Sequence, residues 1–268
     1  MAQFKNLMDV FKLLNKSNCR KCNEKTCMAF AAAVFTGNRP LSDCPELSQD
    51  ILEQYGCGET AHKDRNEEFL NAITEMQKNI QALDLSQVAG RVGGTFADNR
   101  LTLICLGKPV SVDSAGRIVS DIHVNPWFAI PFYSHLIHAG DKPLRDQWVP
   151  LRELAGGKDY FRLFGQRCEK PLKKIADDYT DLFEDLVRLF KGEKVANHYE
   201  ADISLVLRPF PTVPVLICYF RPDEGMDSDL NVFFDAGVEN KIPIQALYTL
   251  GAGLVNMFEK IALRHWTV

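Results

Sequence analysis

Residues 18–31 read Asn18-Cys19-Arg20-Lys21-Cys22-Asn23-Glu24-Lys25-Thr26-Cys27-Met28-Ala29-Phe30-Ala31, and the next cysteine arrives in Asp43-Cys44-Pro45. The pattern is Cys-x2-Cys-x4-Cys-x16-Cys, which gathers half of the chain's 8 cysteines into one short stretch. Thiolates bunch in this way around a soft metal centre, and a polynuclear iron site takes four sulfurs. Zinc is the main competitor, but its sites usually pair two Cys-x2-Cys knuckles or join one knuckle to two histidines. Here a single knuckle is followed by a Cys at x4 and a distant Cys-Pro, and His62 is the only histidine nearby. The spacing favours an iron–sulfur cluster on Cys19, Cys22, Cys27 and Cys44 over zinc and over buried structural thiols. Arg20, Lys21 and Lys25 lie between these cysteines. They either offset the negative charge of a cluster or form an ordinary solvated loop.

Outward from this stretch the chain reads as helical. Phe4, Leu7, Met8, Phe11 and Leu14 fall on one stripe of a helix over 3–14. A second helix is expected over 26–35, capped by Thr26 and ended by Gly37. A third, short one runs from near Pro45 to near Tyr55. Residues 59–66 are polar and linker-like, and an amphipathic helix follows over 67–83. From about Gly90 the texture changes. Residues 101–105 and 109–112 read as a hairpin turning at Gly107-Lys108, with a third strand over 117–124. Pro126 launches a helix over 127–138, Pro171 opens one helix that Gly192 closes, and 242–263 is a buried closing helix. Strands are expected at 203–207, 213–220 and 231–234. Helices and strands do not alternate regularly, so the fold class is α+β. A small helical iron–sulfur cluster domain (1–58) and a linker with helix (59–84) precede a larger α+β domain (85–268) with a mostly antiparallel sheet.

Composition sets limits. With 46% hydrophobic residues among 268, the chain can bury a core, and its net charge of -4 argues against a nucleic-acid partner. No apolar run approaches a membrane span and the first residues do not begin a secretory signal, so a cytoplasmic, reducing location is expected. In that setting clustered cysteines are metal ligands rather than disulfides.

The stretch quoted above, with Gly37, Leu41 and Asp43-Cys44-Pro45, resembles the small [4Fe-4S] domain of the corrinoid iron–sulfur protein large subunit. Similar domains occur in the B subunit of Rnf-type electron-transport complexes. That family usually has glycine directly after its second cysteine, where this chain has Asn23, a residue that tolerates the left-handed conformation. The resemblance covers residues 1–58. It implies a low-potential one-electron carrier in an anaerobe, a ferredoxin or reductase as electron donor, and a corrinoid, a corrinoid protein or a methyltransferase as its counterpart.

Residues 85–268 resemble an uncharacterised domain found behind such cluster domains in anaerobic bacteria and archaea. The likeness rests on Trp148 to Leu154 with Gly156-Gly157, on Phe210-Pro211-Thr212-Val213-Pro214-Val215, on Asp223-Glu224 and on Phe233-Phe234-Asp235. It brings no mechanism. Asp121-Ile122-His123-Val124-Asn125-Pro126 comes near the Asp-x-His-x-x-Gly run of corrinoid-binding modules, with Pro126 in place of the glycine. His123 is therefore a candidate corrinoid ligand, as are His135 and His138, three apart on one helix; for each the competing reading is an ordinary core or surface histidine. The acidic loop 223–229 lacks calcium-loop spacing, and Gly90-Arg91-Val92-Gly93-Gly94 is no dinucleotide fingerprint. Cys105 and Cys218 are expected in the core, Cys57 near the cluster without being a ligand. Arg208 is expected to bind an anion or form an ion pair. No hydrolytic triad stands out, so any catalysis would be reductive.

Overall fold

The structure is a computed structural model, and it describes every residue except 1–3, 5, 36–38, 56–58, 122–123, 180, 197, 224 and 266–268. Two compact units divide the chain, Met1–Asn71 and Ala72–Val268.

The first unit is helical. α1 (Leu7–Leu13) starts with a capping box, in which the Asn6 side chain accepts the Asp9 N–H while Asp9 accepts the Asn6 N–H. Its inward side is Leu7, Val10, Phe11 and Leu14, whereas Met8 is exposed, so the expected stripe turns by one position to include Val10. α2 (Cys27–Phe35) opens with the Thr26 hydroxyl accepting the Ala29 N–H at 3.0 Å. A 3₁₀ turn at Leu41–Asp43 and α3 (Gln49–Tyr55) complete the unit. α4 (Glu59–Gln81) runs unbroken through 59–66, where a linker is expected from sequence. Those residues are polar, yet they contain neither glycine nor proline, and charged straight-chain residues support a helix.

The second unit carries two antiparallel sheets. After α5 (Leu85–Val92), β1 (Thr95–Ala97), β2 (Arg100–Cys105), β3 (Lys108–Asp113) and β4 (Ile118–Ser120) form a meander in sequence order. Leu106 and Gly107, both at positive φ, make the two-residue turn between β2 and β3, one position earlier than expected. The 90–94 run ends α5. Gly93 adopts φ 68, and both Gly93 and Gly94 donate to the Ala89 carbonyl. A methyl on Gly93 would meet Pro211 at 2.9 Å, so the glycine also permits close packing.

The second sheet has the order β5-β9-β8-β7-β6. Its members are β5 (Trp148–Pro150), β6 (Glu193–Lys194), β7 (Ile203–Phe210), β8 (Val213–Phe220) and β9 (Asp229–Asp235). Val215, Ile217 and Tyr219 of β8 pair with Phe234, Val232 and Leu230 and face the main core. On the other face Leu216 and Cys218 join Ala201, Val206, Trp148 and Phe233 in a smaller cluster. Burial on both faces explains why β8 reads as one apolar run. β7 extends past Leu207 by a bulge that accommodates Pro209, and the freed Arg208 carbonyl accepts the Leu106 N–H at 2.9 Å, joining the two sheets.

Helices cover the main core: α6 (Pro126–His138), α7 (Gly157–Phe164), α8 (Lys170–Asp178), α9 (Leu182–Phe190) and α10 (Ile244–His265). The single helix expected to begin at Pro171 does not form. α7 runs into a π-helical turn, Gly165–Glu169, and then into α8, so Pro171 lies inside a continuous helix. The wider turn, closed by the Lys170 N–H on the Gly165 carbonyl, makes room for a ring that would clash with an α-helical carbonyl four residues back. Tyr179 then leaves helical geometry, and α9 is separate. α10 crosses α6 at Gly253, whose absent side chain would come within 3.0 Å of Trp127 Cβ.

Candidate functional site

The loop before α2 is shaped by residues in left-handed backbone geometry: Lys16, Asn18, Arg20 and Asn23, with φ between 51° and 60°. Asn23, in the place of the family glycine, takes φ 60, and its N–H donates to the Arg20 carbonyl at 3.0 Å. Asn18 closes the loop. Its side-chain Oδ1 accepts the Cys27 N–H at 2.7 Å, while its own N–H donates to Cys27 Sγ at 3.3 Å. Arg39 donates to the Cys22 carbonyl at 2.5 Å and pairs with Glu24 and Asp43, which ties the 3₁₀ segment to the loop. Sequence reasoning missed both Asn18 and Arg39. Asn18 had a readable signal, an Asx residue directly before the first cysteine, whereas the reach of Arg39 is tertiary.

Cys22, Cys27 and Cys44 are buried with Leu14, Phe30 and Leu41 in one hydrophobic cluster, and Cys19 alone of the four is exposed. One of the four sulfurs, Cys27, accepts a backbone N–H, that of Asn18 at 3.3 Å. The Lys21 N–H, helped by Ser17, holds the Cys19 thiol below its ordinary value. Burial pushes the Cys44 thiol up, and charge on Cys22, Cys19 and Cys27 acts in the same direction, so the four sulfurs share one neighbourhood. Among the described residues no three His, Cys, Asp or Glu side chains converge tightly enough to hold a single metal ion. The donor set fits an iron–sulfur cluster: soft ligands, a mainly apolar surround and the Asn18 N–H aimed at the Cys27 sulfur.

The histidine candidates do not come together. His123 lies outside the described residues. His135 is fully buried, with Nδ1 at 2.9 Å from the Lys241 carbonyl, Nε2 at 3.2 Å from Thr212 Oγ1, and its ring stacked on Phe210. Burial, reinforced by the Lys241 cation, pulls its pKa down to about 4. His138 is exposed and bonds the Ser134 carbonyl at 2.8 Å. Both nitrogens of His135 are engaged, so its observed role is to join α6 to the segment before α10.

Elsewhere the larger unit offers an enclosed apolar cavity of about 20 Å³ beside the π-helical turn, lined by Phe164, Cys168, Val215, Phe234, Leu250 and Phe258. Burial pushes the Cys168 thiol up to about 12, which leaves it an inert core thiol. A solvent-open groove at the start of α7 has mixed charge, with Arg152, Glu153, Lys158, Asp159 and Glu239. Arg208 pairs loosely with Glu193 at 3.7 Å. Asp223 and Met226 close a tight turn, and Cys105 and Cys218 are core residues as expected. Cys57 lies outside the described residues.

A small helical unit is followed by a larger α+β unit, and residues 14–46 match the family model described as "Putative Fe-S cluster". Residues 84–257, more than half of the chain, match "Domain of unknown function (DUF3786)", and the chain belongs to that family. Over 43 residues it is 56% identical to the acetyl-CoA decarbonylase/synthase complex subunit gamma of Methanothermobacter thermautotrophicus, covering 16% of this chain and 9% of that relative. The subunit gamma of Methanopyrus kandleri is 44% identical over 54 residues, covering 20% of this chain and 12% of the relative. Subunit gamma 1 of Methanosarcina thermophila is 22% identical over 267 residues, covering 94% of this chain and 53% of the relative. The chain thus spans from about a tenth to about half of the length of these curated relatives. They are gamma subunits of one named complex, not Rnf-type B subunits. No solved structure matches the chain. No helix among the described residues is long and apolar enough to cross a membrane.

Proposed function

We propose that Cys19, Cys22, Cys27 and Cys44 hold a [4Fe-4S] cluster and that the protein is a low-potential one-electron carrier serving a corrinoid. The observation that carries this reading is the set of four thiols, three of them buried in one apolar cluster and one, Cys27, accepting the Asn18 N–H. Bound there, the cluster would supply single-electron exchange without proton transfer. The chain's own residues do the positioning. Asn18 locks the loop onto the start of α2, Arg39 holds the Cys22 backbone, and Phe30 and Leu41 keep water from the buried sulfurs. Low solvent access and N–H···S bonds are the means by which a protein sets a cluster's potential.

The corrinoid acceptor rests on the resemblance of residues 1–58 and on relatives named as subunits of the acetyl-CoA decarbonylase/synthase complex. Because those relatives are named as subunits of a complex, a partner protein is the favoured corrinoid carrier. The same relatives support membership of a multi-subunit assembly.

Anaerobic electron paramagnetic resonance, before and after mixing the reduced protein with a cob(II)alamin-loaded corrinoid protein, tests the reading. A reduced-cluster signal that disappears together with the cob(II)alamin signal supports it. A cluster signal with the cobalt spectrum unchanged removes the corrinoid acceptor and leaves a structural or redox-reporting cluster. Cys22→Ser is expected to lower iron and acid-labile sulfide to a small fraction of wild type, and unchanged contents would refute the ligand set.

A further inference from the structure

Cys19 sits in a run of exposed residues, 15–21, while the other three cysteines are buried. Residues 15–27 carry Lys16, Arg20, Lys21 and Lys25 against a single carboxylate, Glu24, although the whole chain has a net charge of -4. Two of these cations are already engaged. Lys21 is bound to Glu46 at 2.5 Å, and Lys16 lies 5.5 Å from the centre of the Phe11 ring. Arg20 and Lys25 are exposed and form no ion pair among the described residues. Arg20 directly follows Cys19, and Lys25 stands on the same loop, whose ends the Asn18–Cys27 clasp joins. Of the nearby carboxylates, Glu46 pairs with Lys21, while Glu24 and Asp43 share Arg39.

We propose that the rim formed by Arg20, Lys25 and the exposed edge of Cys19 is the docking surface for an acidic one-electron carrier protein; this rests on the cluster reading above. Electron transfer needs the two centres close together, and an exposed ligand offers the shortest path through this unit. Unpaired cations around it steer a negatively charged partner and fix its orientation without demanding a large interface. The step is balanced within the pair. One electron leaves the reduced acidic carrier, oxidising it by one, and reduces the cluster by one; no bond forms or breaks and no proton moves.

The test uses the full, cluster-loaded chain and an Arg20→Glu/Lys25→Glu double variant, with Arg20→Gln/Lys25→Gln as a milder second variant. Iron, sulfide and electron paramagnetic resonance are measured first, and a wild-type chain without cluster would count against the functional reading rather than the surface. Binding of an oxidised, strongly acidic ferredoxin is then followed by calorimetry at low and high salt. Rates of reduction are compared for the reduced ferredoxin and for the methyl viologen radical cation. Charge reversal is expected to weaken ferredoxin binding and slow its electron transfer at least about tenfold at low salt. That difference should vanish at high salt, and the viologen cation should react no more slowly than with wild type. Ferredoxin binding unchanged in both variants overturns the proposal. So does equal slowing with both reductants, which marks damage to the site, or tighter binding of a single-stranded RNA than of ferredoxin.

Discussion

Replacing His135 by glutamine removes a group that burial makes reluctant to take up a proton inside the fold. The ordinary histidine value is 6.5, and burial against Phe210 near the Lys241 cation lowers it to about 4 in the folded protein. Above pH 6.5 both folded and unfolded chains are neutral here, and the buried ring costs nothing in proton linkage. As pH falls below 6.5 the unfolded chain binds a proton that the folded chain refuses, so stability declines until the folded value is reached. The loss amounts to about 2 kcal/mol by pH 5 and about 3 kcal/mol below pH 4. All three tryptophans, Trp127, Trp148 and Trp266, follow residue 71, so urea titration with tryptophan fluorescence reports the larger unit. His135→Gln is expected to be less stable than wild type at pH 7.5, because Gln cannot stack on Phe210 as the ring does. Its stability should nevertheless fall by about 2 kcal/mol less than that of wild type between pH 7.5 and pH 5. Carboxylates titrate alike in both proteins and cancel in the comparison. An equal decline in the two proteins would refute the assignment of His135 as a buried neutral histidine.

Three further outcomes are expected. A methyl on Gly157 would lie 1.8 Å from the Leu151 carbonyl oxygen. Gly157→Ala should therefore cost more than about 3 kcal/mol in the same titration, and a midpoint near wild type would show that the Leu151–Gly157 approach is wrong. Gly251→Ala directs its methyl to 2.7 Å from the buried Phe164 ring. It should lower stability by about 1–3 kcal/mol, with near-UV circular dichroism reporting the displaced ring. In the loop, Asn23→Gly should retain iron and sulfide. Asn23→Val, forced to φ 60, should lose about 2 kcal/mol locally and with it a large part of the iron bound per chain; equal loading of the two variants would contradict the backbone requirement.

Sequence and structure agree most closely where contacts are local. The hairpin of β2 and β3, the Asn125–Pro126 start of α6 and the Thr26 cap each depend on a few neighbouring residues, and each is found. So is the left-handed Asn23. The departures come from tertiary context. Whether Pro171 starts a helix or interrupts one depends on the π-helical turn before it, which has no composition of its own. His135 looked like a possible ligand because its partner, the Lys241 carbonyl, is 106 residues away. The run 59–66 resembled a linker because polarity alone does not distinguish a solvated helix from a loop. For the candidate site, residue types and spacing were readable, while the asymmetry between one exposed and three buried cysteines was not.

The π-helical turn also governs phase. Each residue advances an α-helix by about 100°, so an added residue would rotate everything beyond it by that amount, unless a π-helical turn such as Gly165–Glu169 takes it up in one wider ring. Phe164, Cys168, Leu172 and Ile175 follow one another at intervals of four, four and three and share the main core, and the wider turn among them takes up a residue without turning that face away. A one-residue deletion there would be absorbed by conversion to an ordinary α-helical turn, which keeps Leu172 and Ile175 in phase but sets the Pro171 ring against the carbonyl four residues back. Chains that share this fold should be able to lose one residue from this turn where the following proline is also absent.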